Sequence, residues 1–126
     1  MSSIIDTDQA PKSIGPYSQG YVVNDFIYTS GQIGLDPSTM KMRETFKEQA
    51  NTIFNNLDAI LSSAGSGLSS VIKLTIYLVD MKNYPTLNEI MTDLLAKPYP
   101  ARTTIVVSQL PLNALVEIEA VAVVRK

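Results

Sequence analysis

Leu115-Val116-Glu117-Ile118-Glu119-Ala120-Val121-Ala122-Val123-Val124 reads as a β-strand whose two faces have different surroundings. Side chains alternate between the faces of a sheet, so Val116, Ile118, Ala120, Ala122 and Val124 form one apolar row. The opposite row, Leu115, Glu117, Glu119, Val121 and Val123, is too apolar for a solvent face and too polar for a plain core. The segment from Val71 to Val79 repeats the pattern. There Ile72, Leu74, Ile76 and Leu78 suit a covering layer, while Val71, Lys73, Thr75, Tyr77 and Val79 make the mixed row. Mixed rows of this kind fit a subunit interface that carries a buried polar site.

The covering layer is also legible. Phe46, Ala50, Ile53, Phe54, Leu57, Ile60, Leu61 and Ala64 follow the 3.6-residue period of a helix with one apolar stripe. Thr45 with Glu48 can close a capping box before it, and Gly65 can end it. A second helix has Pro85 near its first turn, with Leu87, Ile90, Met91, Leu94 and Leu95 on one face; Pro98 and Pro100 end it. Upstream, Tyr21-Val22-Val23 and Phe26-Ile27-Tyr28-Thr29 flank the turn signal Asn24-Asp25, which predicts a hairpin. Residues 11–16 read as an irregular lead-in, and Gly31, Gly34 and Asp36-Pro37 mark a loop. Two final strands, 101–109 and 115–124, are joined through Pro111-Leu112-Asn113-Ala114 and read as a hairpin. The order ββαβαββ, with room for a short strand at Ile4-Ile5, predicts an α+β sandwich. Its sheet is mostly antiparallel with both helices on one face, which leaves the other face for a second copy.

At 126 residues the chain is expected to be one domain, residues 1–126. An apolar fraction of 45% with 17% charged residues excludes disorder as the state of the whole chain. A net charge of −2 argues against a dedicated nucleic-acid binder, which shows a basic surplus. No apolar run reaches the ~18 residues needed to span a bilayer. Met1-Ser2-Ser3-Ile4-Ile5-Asp6 has no leader character, and cysteine is absent, so a cytoplasmic protein is expected. Histidine is absent too, so chemistry here falls to Arg, Glu, Tyr, Ser, Thr, backbone groups and water.

Pro100-Ala101-Arg102-Thr103-Thr104 and Glu117-Ile118-Glu119 place a guanidinium and two carboxylates in strands that otherwise read as buried. Burying a charge costs several kcal/mol unless it is paired or used. Taken alone, Arg102 also reads as a structural salt bridge and the paired Glu residues as a solvated face. Likewise Tyr17 reads as loop packing, Ser30-Gly31 as a turn and Asn88 as an exposed helix residue. In the expected hairpin Glu117 lies opposite about Val107, roughly 17 Å along the strand from Arg102 at ~3.3 Å per residue. A small ligand touching both would therefore draw them from neighbouring subunits.

The chain resembles the reactive intermediate deaminase A family (RidA, also called YjgF) almost end to end. The resemblance is carried by Ala10-Pro11, Gly15-Pro16-Tyr17-Ser18-Gln19, Ser30-Gly31-Gln32-Ile33 and Leu35-Asp36-Pro37. It continues through Asn56-Leu57, Ala64-Gly65, Asp80-Met81, Asn88-Glu89, Pro100-Ala101-Arg102, Leu110-Pro111 and Val116-Glu117-Ile118-Glu119-Ala120. Two positions depart from the pattern: Thr104 stands where many members carry Cys, and Asn113 where Gly is common. The resemblance implies a chorismate-mutase-like fold assembled as a homotrimer, with clefts between subunits. It implies hydrolysis of 2-aminoacrylate, 2-iminopropanoate and 2-iminobutanoate to 2-oxo acids and ammonia, with no cofactor and no metal. Arg102 would hold the substrate carboxylate and Glu117 the attacking water. Gly31, Thr104, Tyr17, Ser30 and Asn88 would line or position. Rival readings are a non-catalytic small-carboxylate binding module and an RNA-directed translation inhibitor or endoribonuclease. For the last the sequence offers no basic patch and no aromatic stacking platform.

Overall fold

The computed structural model describes residues 2–125. Its strands are β1 (Ser2–Ile5), β2 (Gly20–Val23), β3 (Phe26–Thr29), β4 (Val71–Leu78), β5 (Ala101–Val106) and β6 (Val116–Val123). Two α-helices, α1 (Phe46–Ser62) and α2 (Tyr84–Leu94), follow β3 and β4. The strands make one six-stranded sheet in the order β1-β2-β3-β6-β4-β5. Every neighbouring pair is antiparallel except β4 with β5.

Helix α1 forms as its sequence dictates. The Glu48 N–H donates to the Thr45 hydroxyl and the Thr45 N–H to the Glu48 carboxylate, each at 3.1 Å, which closes the capping box. At the other end Gly65 takes φ +77°, a conformation in which a Cβ is strained. Between them Ala50, Ile53, Phe54, Leu57, Ile60 and Leu61 are fully buried against Leu74, Ile76, Leu78, Val116, Ile118 and Ala122 of the sheet. Helix α2 adds Leu87, Ile90 and Met91 to the same core. Leu94, expected on that face, is 42% exposed because the helix ends there, and Leu95 turns into the core as an extended residue. The β2–β3 hairpin turns through Asn24 at φ +53°, and Asn113, where the family pattern favours Gly, takes the left-handed conformation that Asn tolerates, at φ +57°.

Two expectations fail at β4. A bulge pairs Val71 with Ala122 and Lys73 with Val121, so Ile72 is the extra residue. Val71 is therefore buried, and Ile72, expected under the helices, is 43% exposed. The last two strands also do not pair as a hairpin. β4 lies between them: β5 runs parallel to it in the register Leu74↔Arg102 and Ile76↔Thr104, and β6 antiparallel with Tyr77↔Glu117 and Thr75↔Glu119. The connection 79–100 contains α2 and has the length a parallel crossover needs.

The sheet face away from the helices carries Lys73, Thr75 and Tyr77 of β4, Glu117 and Glu119 of β6, and Ile105 of β5. Phe26 and Tyr28 of β3 extend it, and Ile105 and Tyr28 are 43% and 49% exposed.

Helix α1 also holds the loop after β3. The Asn56 side-chain amide donates to the Leu35 carbonyl at 2.9 Å, and the Gln49 side chain bridges Arg43 O and Leu115 N–H, both at 2.9 Å. Gly34 lies so close that an added Cβ would stand 2.6 Å from Gln49 Cα. Gly34→Ala is expected to destabilise the fold by about 1–3 kcal/mol through this backbone overlap. Gly65→Ala, strained but in open space, should cost about 1 kcal/mol. Urea unfolding at fixed protein concentration checks both, and a wild-type midpoint for Gly34→Ala would mean the loop and helix are not locked together.

Candidate functional site

The loop after β3 crosses β6 with one extra residue. Tyr28 pairs with Val121, but the next backbone pair is Gln32 with Ile118, bonded both ways at 2.9 and 3.0 Å. The Thr29 hydroxyl accepts the Ala120 N–H at 3.0 Å in the gap. This places Gly31 against Glu117, where a Cβ would overlap the carboxylate. A side chain at position 31 would have to displace the Glu117 carboxylate from this position. Ser30 is tied down on both sides: its N–H donates to Gln19 O and its hydroxyl to Ser18 O.

Buried Gln19 anchors the other wall. Its side chain donates to Pro11 O at 2.9 Å and Thr7 O at 3.0 Å, and accepts the Thr7 N–H at 2.7 Å. Tyr17 caps the same lead-in, with its hydroxyl accepting the Ile14 N–H at 3.3 Å. The two walls enclose a cavity of about 460 Å³ lined by Tyr17, Ser30, Gly31 and Glu117, with Lys12, Ile14, Ile33, Leu35 and Pro111 around them. Burial pushes the Glu117 carboxyl above its usual range, and the charge of Glu119 adds to the effect. Glu119 accepts the Tyr77 hydroxyl at 3.0 Å. That bond, with burial and the carboxylate charges, raises the Tyr77 phenol. No hydrogen bond or ion pair to the Glu117 side chain is found among the described residues.

Arg102 lies elsewhere. It shares its side of the sheet with Leu74, the helix side, whereas Glu117 shares Tyr77's side. The guanidinium reaches α2: Nη1 donates to Asn88 Oδ1 at 2.7 Å and approaches Met91 Sδ at 3.5 Å, and Nη2 donates to the Tyr84 hydroxyl at 2.7 Å. Its Cζ is 5.3 Å from the centre of the Tyr84 ring. All these partners are neutral, and no carboxylate pairs with Arg102 among the described residues. A second cavity of about 230 Å³ is lined by Arg102, Asn88, Met91, Thr92, Tyr99 and Pro100.

The expected site residues thus fall into two groups: Tyr17, Ser30, Gly31 and Glu117 in one cavity, and Arg102 with Asn88 in another. Thr104 lies on Arg102's side of β5, its hydroxyl buried without a partner. Its backbone faces outward, because Val107 N–H bonds Leu78 O and successive amides of a strand alternate in direction. Three steps in register along β5 and two strands across put Arg102 and Glu117 about 14 Å apart at Cα, on opposite faces. The hairpin behind the 17 Å figure does not form, so face and distance both separate the pair. Sequence reasoning missed Tyr84 and Gln19. Tyr84 stands three residues before Leu87 and seven before Met91, so helical period reads it as packing and gives no sign of its hydroxyl contact, and Gln19 was legible only as part of a motif.

A six-stranded mixed sheet with two helices on one face, and ligand-sized cavities served by both faces, defines a small α+β protein with the architecture of solved RidA structures. The chain belongs to the RidA/RutC family: the family described as Endoribonuclease L-PSP matches residues 7–124. A RutC family protein of Aquifex aeolicus is 51% identical over 121 residues, covering 94% of this chain and 97% of that one. A protein of Dermatophagoides farinae named 2-iminobutanoate/2-iminopropanoate deaminase is 38% identical over 122 residues, covering 96% and 95%. The crystal structure of RidA from an Antarctic Psychrobacter species superposes with a TM-score of 0.95 at 43% identity, covering 97% of this chain and 99% of that one.

Glu119→Gln should lower the Glu117 pKa while leaving it above the ordinary carboxylate range, because desolvation is the larger cause. A carbon-13 NMR titration of the Glu117 carboxyl checks this, and an unmoved Glu117 titration would mean the two carboxylates do not interact.

Proposed function

We propose that the protein is a hydrolytic deaminase of reactive enamine and imine acids, converting 2-iminopropanoate and 2-iminobutanoate to 2-oxo acids and ammonia. One observation carries this reading. Arg102 is held by neutral partners and keeps its charge available, while Glu117, pushed toward the protonated form, sits in a separate cavity on the other face. The reading makes the chain one chorismate-mutase-like unit of a homotrimer. A neighbour packs on the exposed sheet face and brings its Arg102 cavity against the Glu117 cavity. Tyr17, Ser30 and Gly31 come from the Glu117 side, and Asn88 and the outward backbone of Thr104 from the other.

The roles follow from the chemistry. Arg102 holds the substrate carboxylate, a planar fork meeting a planar anion. Water beside Glu117 adds to the carbon of the protonated imine and gives a proton to the carboxylate, leaving a neutral carbinolamine. Glu117 passes that proton to the nitrogen. The carbon–nitrogen bond then breaks, ammonia leaves, and the hydroxyl proton returns to Glu117 as the carbon–oxygen double bond forms, to be carried off by the ammonia as ammonium. A carboxylate with raised proton affinity is the better base for the first step and the acid for the second. An enamine substrate first takes a proton on carbon to become the imine. An alternative, a site that only binds small carboxylates, gains nothing from a nearby negative residue such as Glu117. The RNA-directed role suggested by the name Endoribonuclease L-PSP meets a chain with net charge −2 and no histidine.

In a coupled assay, with a dehydratase generating the imine, the wild-type protein should accelerate imine loss. Arg102→Ala should lower kcat/KM about a hundredfold or more, and Glu117→Gln about a hundredfold with 2-oxo-acid binding retained. Light scattering should give about three times the 13.8 kDa chain mass. Trimers co-assembled from equal amounts of the two variants should regain about a quarter of wild-type activity, since each cleft takes Arg102 from one chain and Glu117 from the next. No recovery on mixing would place both residues in one subunit's site, and a monomer would sink the shared cleft.

A further inference from the structure

We infer that Tyr84 is a positioning residue for anion recognition, fixing the rotation of the Arg102 guanidinium so that one edge of the fork stays free. This rests on the reading of Arg102 as the carboxylate clamp. A guanidinium has five N–H donors. Both on Nη1 are directed at Asn88 Oδ1 and Met91 Sδ, and one on Nη2 at the Tyr84 hydroxyl. Among the described residues Nε–H and the second Nη2–H have no acceptor, and as donors on adjacent nitrogens they can meet the two oxygens of one carboxylate. Asn88 alone would leave the group free to swing about its Nη1 contact. The Tyr84 hydroxyl supplies the second point, and its ring, 5.3 Å from Cζ, attracts the cation without neutralising it. A carboxylate in Tyr84's place would hold the fork as firmly and cancel the charge the ligand needs. The arrangement therefore preorganises the clamp while leaving its charge unspent.

The decisive variant is Tyr84→Phe, which keeps the ring and removes the hydroxyl. Nitrogen-15 NMR of Arg102 reads the positioning without any substrate. Distinct, slowly exchanging Nη signals are expected in the wild type and averaged ones in Tyr84→Phe. Calorimetry with 2-oxobutanoate should then show binding weakened about three- to tenfold. In the imine assay KM should rise by the same factor with kcat within about twofold, because the clamp holds the carboxylate equally before and during the reaction. Tyr84→Leu, which also removes the ring, should weaken binding further. Equal Arg102 order in Tyr84→Phe and wild type would overturn the inference, as would lost order with unchanged affinity. A fall in kcat accompanied by a lower melting temperature would overturn it in favour of a purely structural role. A wild-type protein with ordered Arg102 signals that neither binds 2-oxobutanoate nor hydrolyses imine would instead overturn the clamp reading.

Discussion

The pairing of β4 on both edges is the constraint from which the rest of the molecule follows. With β6 on one side and β5 on the other, strand periodicity assigns every side chain of the last two strands to a face. In the observed register Leu74 and Ile76 share the helix side with Arg102 and Thr104, and Tyr77 shares the outer side with Glu117. A slip of one residue in either ladder would put Arg102 beside Glu117's face or bury Glu117 among the helices. The fully buried row Val116, Ile118 and Ala122 forbids the second slip. The first is opposed by Tyr84 and Asn88, which hold Arg102 on the helix side.

The cavity around Glu117 is made of loops, and loops need partners for their backbone groups. Three buried amide side chains supply them: Gln19 for residues 7–11, Asn56 for Leu35, and Gln49 for Arg43 and Leu115. Each replaces a missing ladder bond with a side chain rooted in regular structure or packed beside it. The walls are therefore fixed by α1 and the sheet. Gly31 and Gly34 complete the design by letting backbone approach where a side chain would collide.

Much of this was legible in the sequence. The period of α1, its capping box, the β2–β3 turn and the alternation of β6 all appear where the residues put them, because local geometry and burial agree there. The misreadings share a cause. Ile72 continues an alternating pattern, and a bulge leaves no mark on composition. The last two strands look like a hairpin because the 110–114 turn is strong, and nothing local reveals that β4 intervenes. The grouping of the site residues has the same character. Arg102 and Glu117 were recognisable as charges needing a use, but their faces depend on a parallel register that only the assembled sheet displays. Tyr84 escaped notice because its hydroxyl and ring meet Arg102 on another element, a contact that no local pattern records.

The electrostatics of the two cavities favour a ligand over an internal ion pair. A charge taken from water needs an opposite charge or several hydrogen bonds in compensation. Arg102 has neutral acceptors for part of its fork, and Glu117 has Glu119 nearby, Lys12 in the wall of its cavity, and no ion pair among the described residues. The chain contains this positive and this negative group and keeps them on opposite faces, so neither satisfies the other within one copy. On the proposed reading, a small molecule with a carboxylate at one end and a protonatable nitrogen at the other answers both. Its anion meets Arg102, and its nitrogen approaches Glu117, whose raised proton affinity suits a group that must take a proton and give it back. A plain carboxylic acid would satisfy Arg102 and be repelled by Glu117. On that reading the pair would select for the imino acid over its 2-oxo product, and the same charge that takes up the proton would favour product release.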